Sequence, residues 1–524
     1  MQKTVSEKLF CAATVLFAFC FTVLTALLLC NAQQQRYDAV PLVLMTAAAV
    51  VGAGAVYFLC KRRERALERY YVQILCAVLA FFAVVQIVAG LALRFTPAWD
   101  LDAIYSGAIQ WAESGSFAKY EEYYQYFPNN LGGMTLLYLF FRPAHLLGVT
   151  DYFAVAVVLN TVLLTGSALF ASLAARIHFG SSGAVFVLFL FAACLPFYFV
   201  GAVFYTDALS MIFPVLFYYL YLQLSRTESG WKASCLAAGM GLTLAAGITV
   251  KFTVVIMAIA VCVDAAIVRQ RWRLLLLLAG AALLAAAAYK LFHLWIYSTQ
   301  LDPVKAAQMN TPISHWIMMG LKGNGGYNGE DYVFTRSFSD PVERDAAIWQ
   351  EIRNRIAALG LSGLLQLWRA KELVCFGDGT FALSSFLDDT PLTQNFLRQI
   401  VMEDGGFYPV YRHLCEAGFL SVLLLALIAA YGDIRKRGAV KILAPRLAAL
   451  GLFLFFLIWE TNGRLVLNFL PVLFLAAVPG ARAVMLWFDA CGKLLENRKN
   501  KTQKKHRYKY KSAPKPKRFG ALVF

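Results

Sequence analysis

The sequence predicts an all-α polytopic membrane protein with about 12 transmembrane helices. Of its 524 residues, 60% are hydrophobic and only 15% are charged, and the mean hydropathy is +0.60. This composition excludes an ordinary soluble protein. Apolar runs of about 17–25 residues are long enough to cross a bilayer as helices, whereas a transmembrane β-barrel would show short alternating segments. The sequence contains the long runs and lacks the alternation.

Twelve apolar runs are the predicted spans. They are Leu9–Cys30, Ala39–Cys60, Tyr70–Leu93, Phe153–Ile177, Gly183–Ala202, Phe204–Leu224, Ala233–Val250, Phe252–Val268, Leu274–Tyr297, Leu414–Tyr431, Leu447–Trp459 and Leu465–Phe488. The first run lacks a small-residue cleavage site, so we interpret it as a retained span. The segment Leu131–Gly148 is also apolar, but Arg142, Pro143 and His145 interrupt it, and we expect a re-entrant or surface-lying helix there.

Lys and Arg are concentrated in four short loops that fall on one side of the membrane under this count. Their basic residues are Lys61, Arg62, Arg63 and Arg65; Arg226 and Lys232; Arg269, Arg271 and Arg273; and Arg435, Lys436, Arg437 and Lys441. Such loops are usually cytoplasmic. We therefore expect a multi-pass protein of a bacterial plasma membrane with both termini in the cytoplasm, and two outward segments, Phe95–Asn130 and Ser298–His413.

The chain is predicted to have five parts. Residues 1–69 form a two-span hairpin with a cytoplasmic loop, 70–297 a seven-span module with a first outer loop at 95–150, 298–413 a large outer loop, 414–490 a three-span region, and 491–524 a basic tail. Residues 493–518 contain 12 Lys or Arg and one Glu, which supplies +11 of the net charge of +17. A basic tail beside a last span suits anionic lipid better than nucleic acid, so we expect no nucleic-acid partner.

Polar residues that interrupt the apolar sequence lie mostly at the predicted outer ends of the spans. Asp100 and Asp102 follow the third span, Asp207 lies in a short outer turn, and Lys251 lies in the turn between two apolar helices. A carboxylate that is partly removed from water is a better general base. The alternatives are a solvated loop acid for Asp100 and Asp102, and a helix N-terminal acid for Asp207.

The large outer loop is predicted to contain ordered helices. One helix should begin at Asp340-Pro341, with Asp340 as the N-cap and Pro341 at the first helical position. This helix should end at Gly360. A second amphipathic helix is expected from about Gly363 to Phe376.

Several motifs together resemble the first outer loop of the GT-C superfamily of integral-membrane glycosyltransferases, such as the protein O-mannosyltransferases and the aminoarabinose transferases. They are Trp99-Asp100 after a span, Tyr105, Ala108, Gly115, a tyrosine-rich stretch at 120–126, and Phe127-Pro128-Asn129-Asn130-Leu131-Gly132. The resemblance covers about Tyr70 to Phe488. It implies a GT-C-like module in which both outer segments carry membrane-surface helices, with polyprenyl-phosphate-linked sugar as the donor substrate.

The resemblance also implies roles for particular residues. The catalytic acid of the family corresponds to Asp100, with Asp102 as the alternative, and a second acid corresponds to Asp207. Glu460 and Arg464 match a Glu-x-x-x-Arg element, where Arg464 would bind the donor phosphate and Glu460 would orient it. Lys251 and His315 are further candidates for the phosphate. The aromatic and amide side chains expected at the sugar or acceptor are Tyr105, Tyr126, Asn129 and Asn130.

The sequence thus predicts an inverting glycosyltransferase that moves a sugar from a polyprenyl phosphate to a hydroxyl of a glycan, lipid or protein. A lipid or polysaccharide transporter or flippase is the alternative, and a polysaccharide polymerase or ligase ranks third. The family includes members that use a divalent metal and members that do not, so no cofactor is certain and a metal is possible. The sugar, the acceptor and the linkage stay open.

Overall fold

The computed structural model describes residues 5–388, 391–436, 442–487 and 490. Over these residues the chain is helical and has no named strand, and the one isolated β-bridge joins Phe95 and Pro391. The predicted all-α class is therefore confirmed. The predicted basic tail at 491–524 lies outside the described residues.

The helices follow one another along the chain in three groups. The first group is α1 (Val5–Cys30), α2 (Ala39–Arg62), α3 (Glu64–Ala92), α4 (Trp99–Ser114), α5 (Glu121–Tyr126), α6 (Leu131–Leu146) and α7 (Tyr152–Ala193). The second is α8 (Pro196–Phe199), α9 (Thr206–Leu209), α10 (Ile212–Leu224), α11 (Gly230–Val250), α12 (Val255–Asp264) and α13 (Trp272–Thr299). The third is α14 (Pro303–Met309), α15 (Ile313–Met319), α16 (Gly329–Arg336), α17 (Pro341–Phe376), α18 (Leu383–Leu387), α19 (Phe396–Val401), α20 (Tyr408–Lys436), α21 (Ala444–Ile458) and α22 (Gly463–Trp487), which opens with a 3-10 turn.

Ten helical segments of the described residues are long and apolar enough to cross a membrane. Nine of the twelve predicted spans each coincide with one of them. Two other predicted spans share the 42-residue helix α7, and the remaining one coincides with α21, which has only 15 residues. The count of 12 therefore stays a prediction.

Helix α7 is a hairpin of two helical arms. Gly180 interrupts it with a φ of 73° and a ψ of −167°, a conformation that suits glycine. The hydroxyl of Ser172 donates to the carbonyl oxygen of Ala184 over 3.2 Å, although twelve residues of straight helix would separate them by about 18 Å. The arms thus lie against each other, in the places of the predicted spans Phe153–Ile177 and Gly183–Ala202.

Helix α17 confirms the predicted start and stop in the large loop. The Asp340 carboxylate accepts hydrogen bonds from the backbone N–H groups of Val342 (2.6 Å) and Glu343 (3.0 Å) and so caps the helix. Gly360 breaks the helix with a φ of 56°. The loop is consequently ordered by its own caps and turns.

The large loop is fastened to the end of α3, just before Asp100. The buried guanidinium of Arg398 donates to the carbonyl oxygens of Leu387 and Arg94, both over 3.0 Å. Asn395 adds a hydrogen bond to the carbonyl oxygen of Ala92 over 2.6 Å. The bonds to Ala92 and Arg94 satisfy carbonyls at the C-terminus of α3 and in the turn that follows it. Residues separated by about 300 positions in sequence are thereby held together.

Helix α6 packs against the end of α11 with almost no space between the two backbones. A Cβ atom built on Gly132 would lie 1.9 Å from the carbonyl oxygen of Thr249, two residues before Lys251. Glycine is therefore required where α6 crosses α11, and this crossing sets the position of the first outer segment relative to Lys251.

We predict that Gly132→Ala destabilises the protein by about 1–3 kcal/mol or more, because the added methyl group must push two backbones apart. Thermal unfolding of the purified protein in detergent measures the effect. Gly280→Ala in α13 is the matched control, since a Cβ there meets no atom within 4 Å. Equal melting temperatures for the two variants would contradict the close crossing.

Candidate functional site

The Asp100 carboxylate is held by two tyrosines from different segments. It lies exposed in the first turn of α4. Its Oδ1 accepts a hydrogen bond from the hydroxyl of Tyr123 over 2.6 Å, and its Oδ2 accepts one from the hydroxyl of Tyr205 over 3.1 Å. Tyr123 belongs to α5, and Tyr205 directly precedes α9. Both carboxylate oxygens are thus fixed in direction while the group remains open to solvent.

A second layer of hydrogen bonds supports Tyr123. Its hydroxyl oxygen accepts from the buried amide of Asn130 over 2.6 Å, and the amide of Asn129 donates to Asn130 over 3.3 Å. Burial raises the pKa of Tyr123 well above 10, and the nearby charge of Asp100 raises it further. The phenol therefore stays protonated and continues to donate to Asp100.

Trp99, which directly precedes Asp100, has an unusual conformation. Its φ is 52° and its side chain is 87% exposed. A bulky residue in the left-handed region costs about 1–3 kcal/mol, so the surrounding structure must impose it. The large loop holds Arg94 on the N-terminal side, and the chain must then turn sharply to begin α4.

A buried ion cluster of one acid and two cations lies beside Asp100. Asp207 is 2% exposed, and its Oδ1 is 2.8 Å from Nζ of Lys251, while its Oδ2 accepts from Nε of Arg464 over 3.0 Å. The three side chains come from α9, the α11–α12 turn and the start of α22. Asp207 is therefore paired with two cations at once.

Tyr205 joins the ion cluster to Asp100. Its hydroxyl bonds to Asp100, and the guanidinium carbon of Arg464 lies 4.9 Å from the centre of its ring. The ring of Phe386, from the large loop, lies 5.6 Å from the same guanidinium on another side. The structure therefore brings together Asp100, Asp207, Lys251 and Arg464, which are four of the residues proposed from sequence.

Glu460 belongs to the same cluster. It lies in the turn between α21 and α22. Burial raises the pKa of Glu460, while Arg464 and Lys251 lower it. The carboxyl group therefore lies within electrostatic reach of both cations.

Asp102 points away from Asp100. Its Oδ1 accepts from the hydroxyl of Ser106 over 2.5 Å and its Oδ2 accepts from the hydroxyl of Tyr120 over 3.3 Å. Residues two apart on a helix project about 200° apart, and the two acids accept hydrogen bonds from different donors. The geometry separates the pair that the sequence left as alternatives.

Three other residues proposed from sequence do not join the cluster. Tyr105 packs among aromatic rings, and burial raises its pKa to about 12. The ring of Tyr126 lies 3.4 Å from the guanidinium carbon of Arg336. His315 is buried, and its Nδ1 lies 2.6 Å from the hydroxyl oxygen of Thr335. Burial lowers the pKa of His315 to about 4. A histidine that is neutral at pH 7 is no fixed cation for a phosphate.

The sequence did not single out Tyr123, Tyr205 or Phe386. Tyr205 stands two residues before Asp207, but nothing in the sequence marks it among 25 tyrosines. Tyr123 lies in the tyrosine-rich stretch, and such a stretch is as typical of an aromatic belt at the membrane interface as of a binding site. Phe386 reaches the cluster only because the large loop docks beside α3.

A metal ion would need a different arrangement of acids. Within residues 5–388, 391–436 and 442–487, no group of three or more His, Cys, Asp or Glu side chains converges in a way that could hold a metal. Both oxygens of Asp207 already face cations. A divalent ion between Asp100 and Asp207 would have to displace Lys251 or Arg464.

One solved structure similar to the chain is an archaeal oligosaccharyltransferase, AglB from Archaeoglobus fulgidus, in complex with an inhibitory peptide and a dolichol-phosphate. The TM-score is 0.40 and the sequence identity is 13%, over 82% of this chain and 52% of the other. The chain thus spans about half the length of that protein. No curated protein matches the sequence at a significant level.

A family model matches almost the whole helical part of the chain. The match covers residues 1–483 and so includes the ion cluster, both outer segments and α22 up to its last turn. The chain therefore belongs to the family described as conserved hypothetical integral membrane proteins.

Proposed function

We propose that the protein is an inverting glycosyltransferase that moves a sugar from a polyprenyl phosphate to an acceptor hydroxyl. The observation that carries this proposal is the double contact of Tyr205, whose hydroxyl holds Asp100 and whose ring lies against Arg464. It places an exposed carboxylate beside a pair of cations. A general base and a site for a leaving phosphate are the two groups that such a transfer needs.

Asp100 acts as the general base. It takes the proton of the acceptor hydroxyl as that oxygen attacks the anomeric carbon of the sugar. The bond from the anomeric carbon to the phosphate oxygen breaks, and its electron pair leaves with the polyprenyl phosphate. Because the attack comes from the face opposite the phosphate, the configuration of the anomeric carbon inverts.

Arg464 and Lys251 stabilise the departing phosphate. Negative charge grows on the phosphate as the glycosidic bond breaks, so fixed cations there stabilise the transition state more than the ground state. Asp207 holds both cations in place before substrate arrives. Within the part of the chain that the structure describes, Arg464 bonds to Asp207 through Nε, which leaves its terminal N–H groups available. Such a guanidinium can bind two phosphate oxygens at once.

The Asp100 end of the bundle is proposed to face out of the cell. At the opposite end Arg226 donates to the carbonyl oxygen of Ile177 over 2.8 Å, and Arg271 donates to that of Ser225 over 3.4 Å. Three predicted cytoplasmic turns thus meet there. The positive-inside rule then puts the site on the outer side of a cell membrane, where a lipid-linked donor is held in the bilayer.

The test is transfer from a radiolabelled polyprenyl-phosphate sugar in membranes or proteoliposomes. We predict that Asp100→Asn lowers kcat about 10²–10⁴-fold, because the general base is lost. Asp102→Asn is the matched control and changes the rate by less than about tenfold, because it alters only the hydrogen bonds from Ser106 and Tyr120, neither of which contacts Asp100. Undiminished transfer by folded Asp100→Asn would remove Asp100 from the mechanism, and no transfer by wild type with any donor would favour a transporter.

Arg464→Lys should lower kcat/KM for the donor by on the order of 10²-fold, since an ammonium cannot bind two phosphate oxygens in one plane. Single-turnover transfer at several donor concentrations measures it. The control is Arg355→Lys, at an arginine that pairs with Asp331 over 2.7 Å in the large loop. If both variants lower the rate equally, the effect is one of folding and the phosphate role of Arg464 is wrong.

Tyr123→Phe and Tyr205→Phe should each lower kcat about fivefold to tenfold, because each removes one hydroxyl worth about 1 kcal/mol in fixing Asp100. The KM for the donor stays constant in Tyr123→Phe, whose ring is not in contact with Arg464. The control is Tyr124→Phe, which loses a buried hydrogen bond of 2.8 Å to the carbonyl oxygen of Ala103. That variant loses stability and keeps its kcat. An unchanged kcat in Tyr123→Phe would contradict a positioning role.

A further inference from the structure

A buried ammonium group of the large loop is bonded to the segment that leads to Arg464. Lys371 lies in the second arm of α17 and is 0% exposed. Its Nζ donates to the carbonyl oxygen of Leu457, near the end of α21, over 3.2 Å, and to that of Gly320, after the end of α15, over 2.9 Å. Both carbonyls lie at helix C-termini, where backbone oxygens lack helical partners. A buried cation is very costly unless it is bonded in this way.

The large loop also holds the turn between α21 and Arg464. The backbone N–H of Thr461 donates to the carbonyl oxygen of Gly325 over 2.8 Å, and its hydroxyl donates to that of Asn324 over 3.0 Å. The next residue, Asn462, accepts a hydrogen bond from the backbone N–H of Arg464 over 3.2 Å. The backbone of Arg464 is therefore fixed through a turn that is itself bonded to the large loop.

Two glycines let the large loop approach this segment closely. A Cβ atom built on Gly320 would lie 2.8 Å from the carbonyl oxygen of Ile458 and 2.9 Å from the carbonyl carbon of Trp459. A Cβ atom on Gly325, which has a φ of 84°, would lie 3.0–3.1 Å from three carbons of the Lys371 stem. The stem of Lys371 and the end of α21 thus fit against residues 320–325 without space for another side chain.

We infer that Lys371 is a positioning residue for the phosphate site, because its ammonium group fastens the end of α21 to the large loop and so sets the place from which Arg464 reaches Asp207. The inference rests on the proposed function, in which Arg464 binds the donor phosphate. Arg464 is fixed at both ends, its backbone by the turn and its guanidinium by Asp207. A misplacement of about 1 Å at such a group can cost on the order of 10²-fold in rate.

The charge of Lys371 changes within an accessible pH range, since burial lowers the pKa of Lys371 to about 8. The nearest titratable side chains of its own helix are Glu372 and Cys375, and those of the elements around it are Cys20, His315, Lys322, Glu460 and Arg464. Below pH 8 the charged ammonium bonds strongly to both carbonyls, and above pH 8 the neutral amine bonds more weakly. Phosphate binding should therefore weaken as the pH rises through about 8.

The test is binding of farnesyl phosphate to the protein in nanodiscs, which requires no transfer. We expect the wild-type Kd to rise about threefold to tenfold between about pH 7 and pH 9, as Lys371 loses its charge. Lys371→Met should bind about tenfold more weakly at pH 7 and lack this pH dependence, because it keeps an apolar stem but leaves two carbonyls without a donor.

Arg344→Met is the matched control. Arg344 is also buried in α17 and donates to a backbone carbonyl oxygen, that of Gln308, over 2.7 Å, but it lies in the first arm of the helix. This variant should lose stability and keep wild-type binding. Thr461→Val is the second variant of the turn itself. It loses the hydroxyl bond to Asn324, so it should weaken binding about twofold to fivefold and retain the pH dependence.

The inference would be overturned by a folded Lys371→Met that binds as tightly as the wild type, that keeps its pH dependence, or that is weakened no more than Arg344→Met. Should Lys371→Met not fold, wild-type binding that is constant from about pH 7 to pH 9 would overturn it. The proposed function can fail separately. Lys371-dependent binding in a protein that transfers no sugar from any donor would overturn the transferase and leave the positioning role standing. Active wild type with an unchanged donor KM in Lys371→Met would do the reverse.

Discussion

The ion cluster at Asp207 is the interaction on which the architecture of the site depends. A fully buried carboxylate is very costly unless it is paired, and removal of one member of a buried pair typically costs about 3–5 kcal/mol. Here one carboxylate, 2% exposed, holds two cations that would otherwise repel each other. Since the three side chains come from α9, the α11–α12 turn and α22, this contact fixes the ends of three apolar segments against one another.

The large loop completes the site from a distant part of the sequence. Arg398 and Asn395 fasten it to the last carbonyls of α3, and this docking delivers Phe386 to the face of Arg464. The same fastening holds the chain before Trp99, whose left-handed conformation turns Asp100 toward Tyr123 and Tyr205.

Those parts of the site that follow from topology could be predicted from the sequence, and those that follow from packing could not. Apolar runs predicted the spans, and the spans placed Asp100, Asp207, Lys251 and Arg464 at the same side of the membrane. The cap at Asp340 and the break at Gly360 are local signals and are confirmed. The tyrosine contacts depend on tertiary packing, which no spacing rule contains. His315 shows the same limit, because its burial decides its charge.

The opposite exposures of the two acids fit two different tasks. In the proposed reaction the general base meets a hydroxyl that arrives from outside, and Asp100 is exposed even though its oxygens are fixed by two tyrosines. The acid that arranges the phosphate-binding cations should never change its charge during the reaction. Asp207 is accordingly shut off from water between Lys251 and Arg464. Tyr205 contacts both arrangements, since its hydroxyl donates to Asp100 and its ring lies against Arg464, so one side chain fixes the distance between the proposed base and the proposed phosphate site.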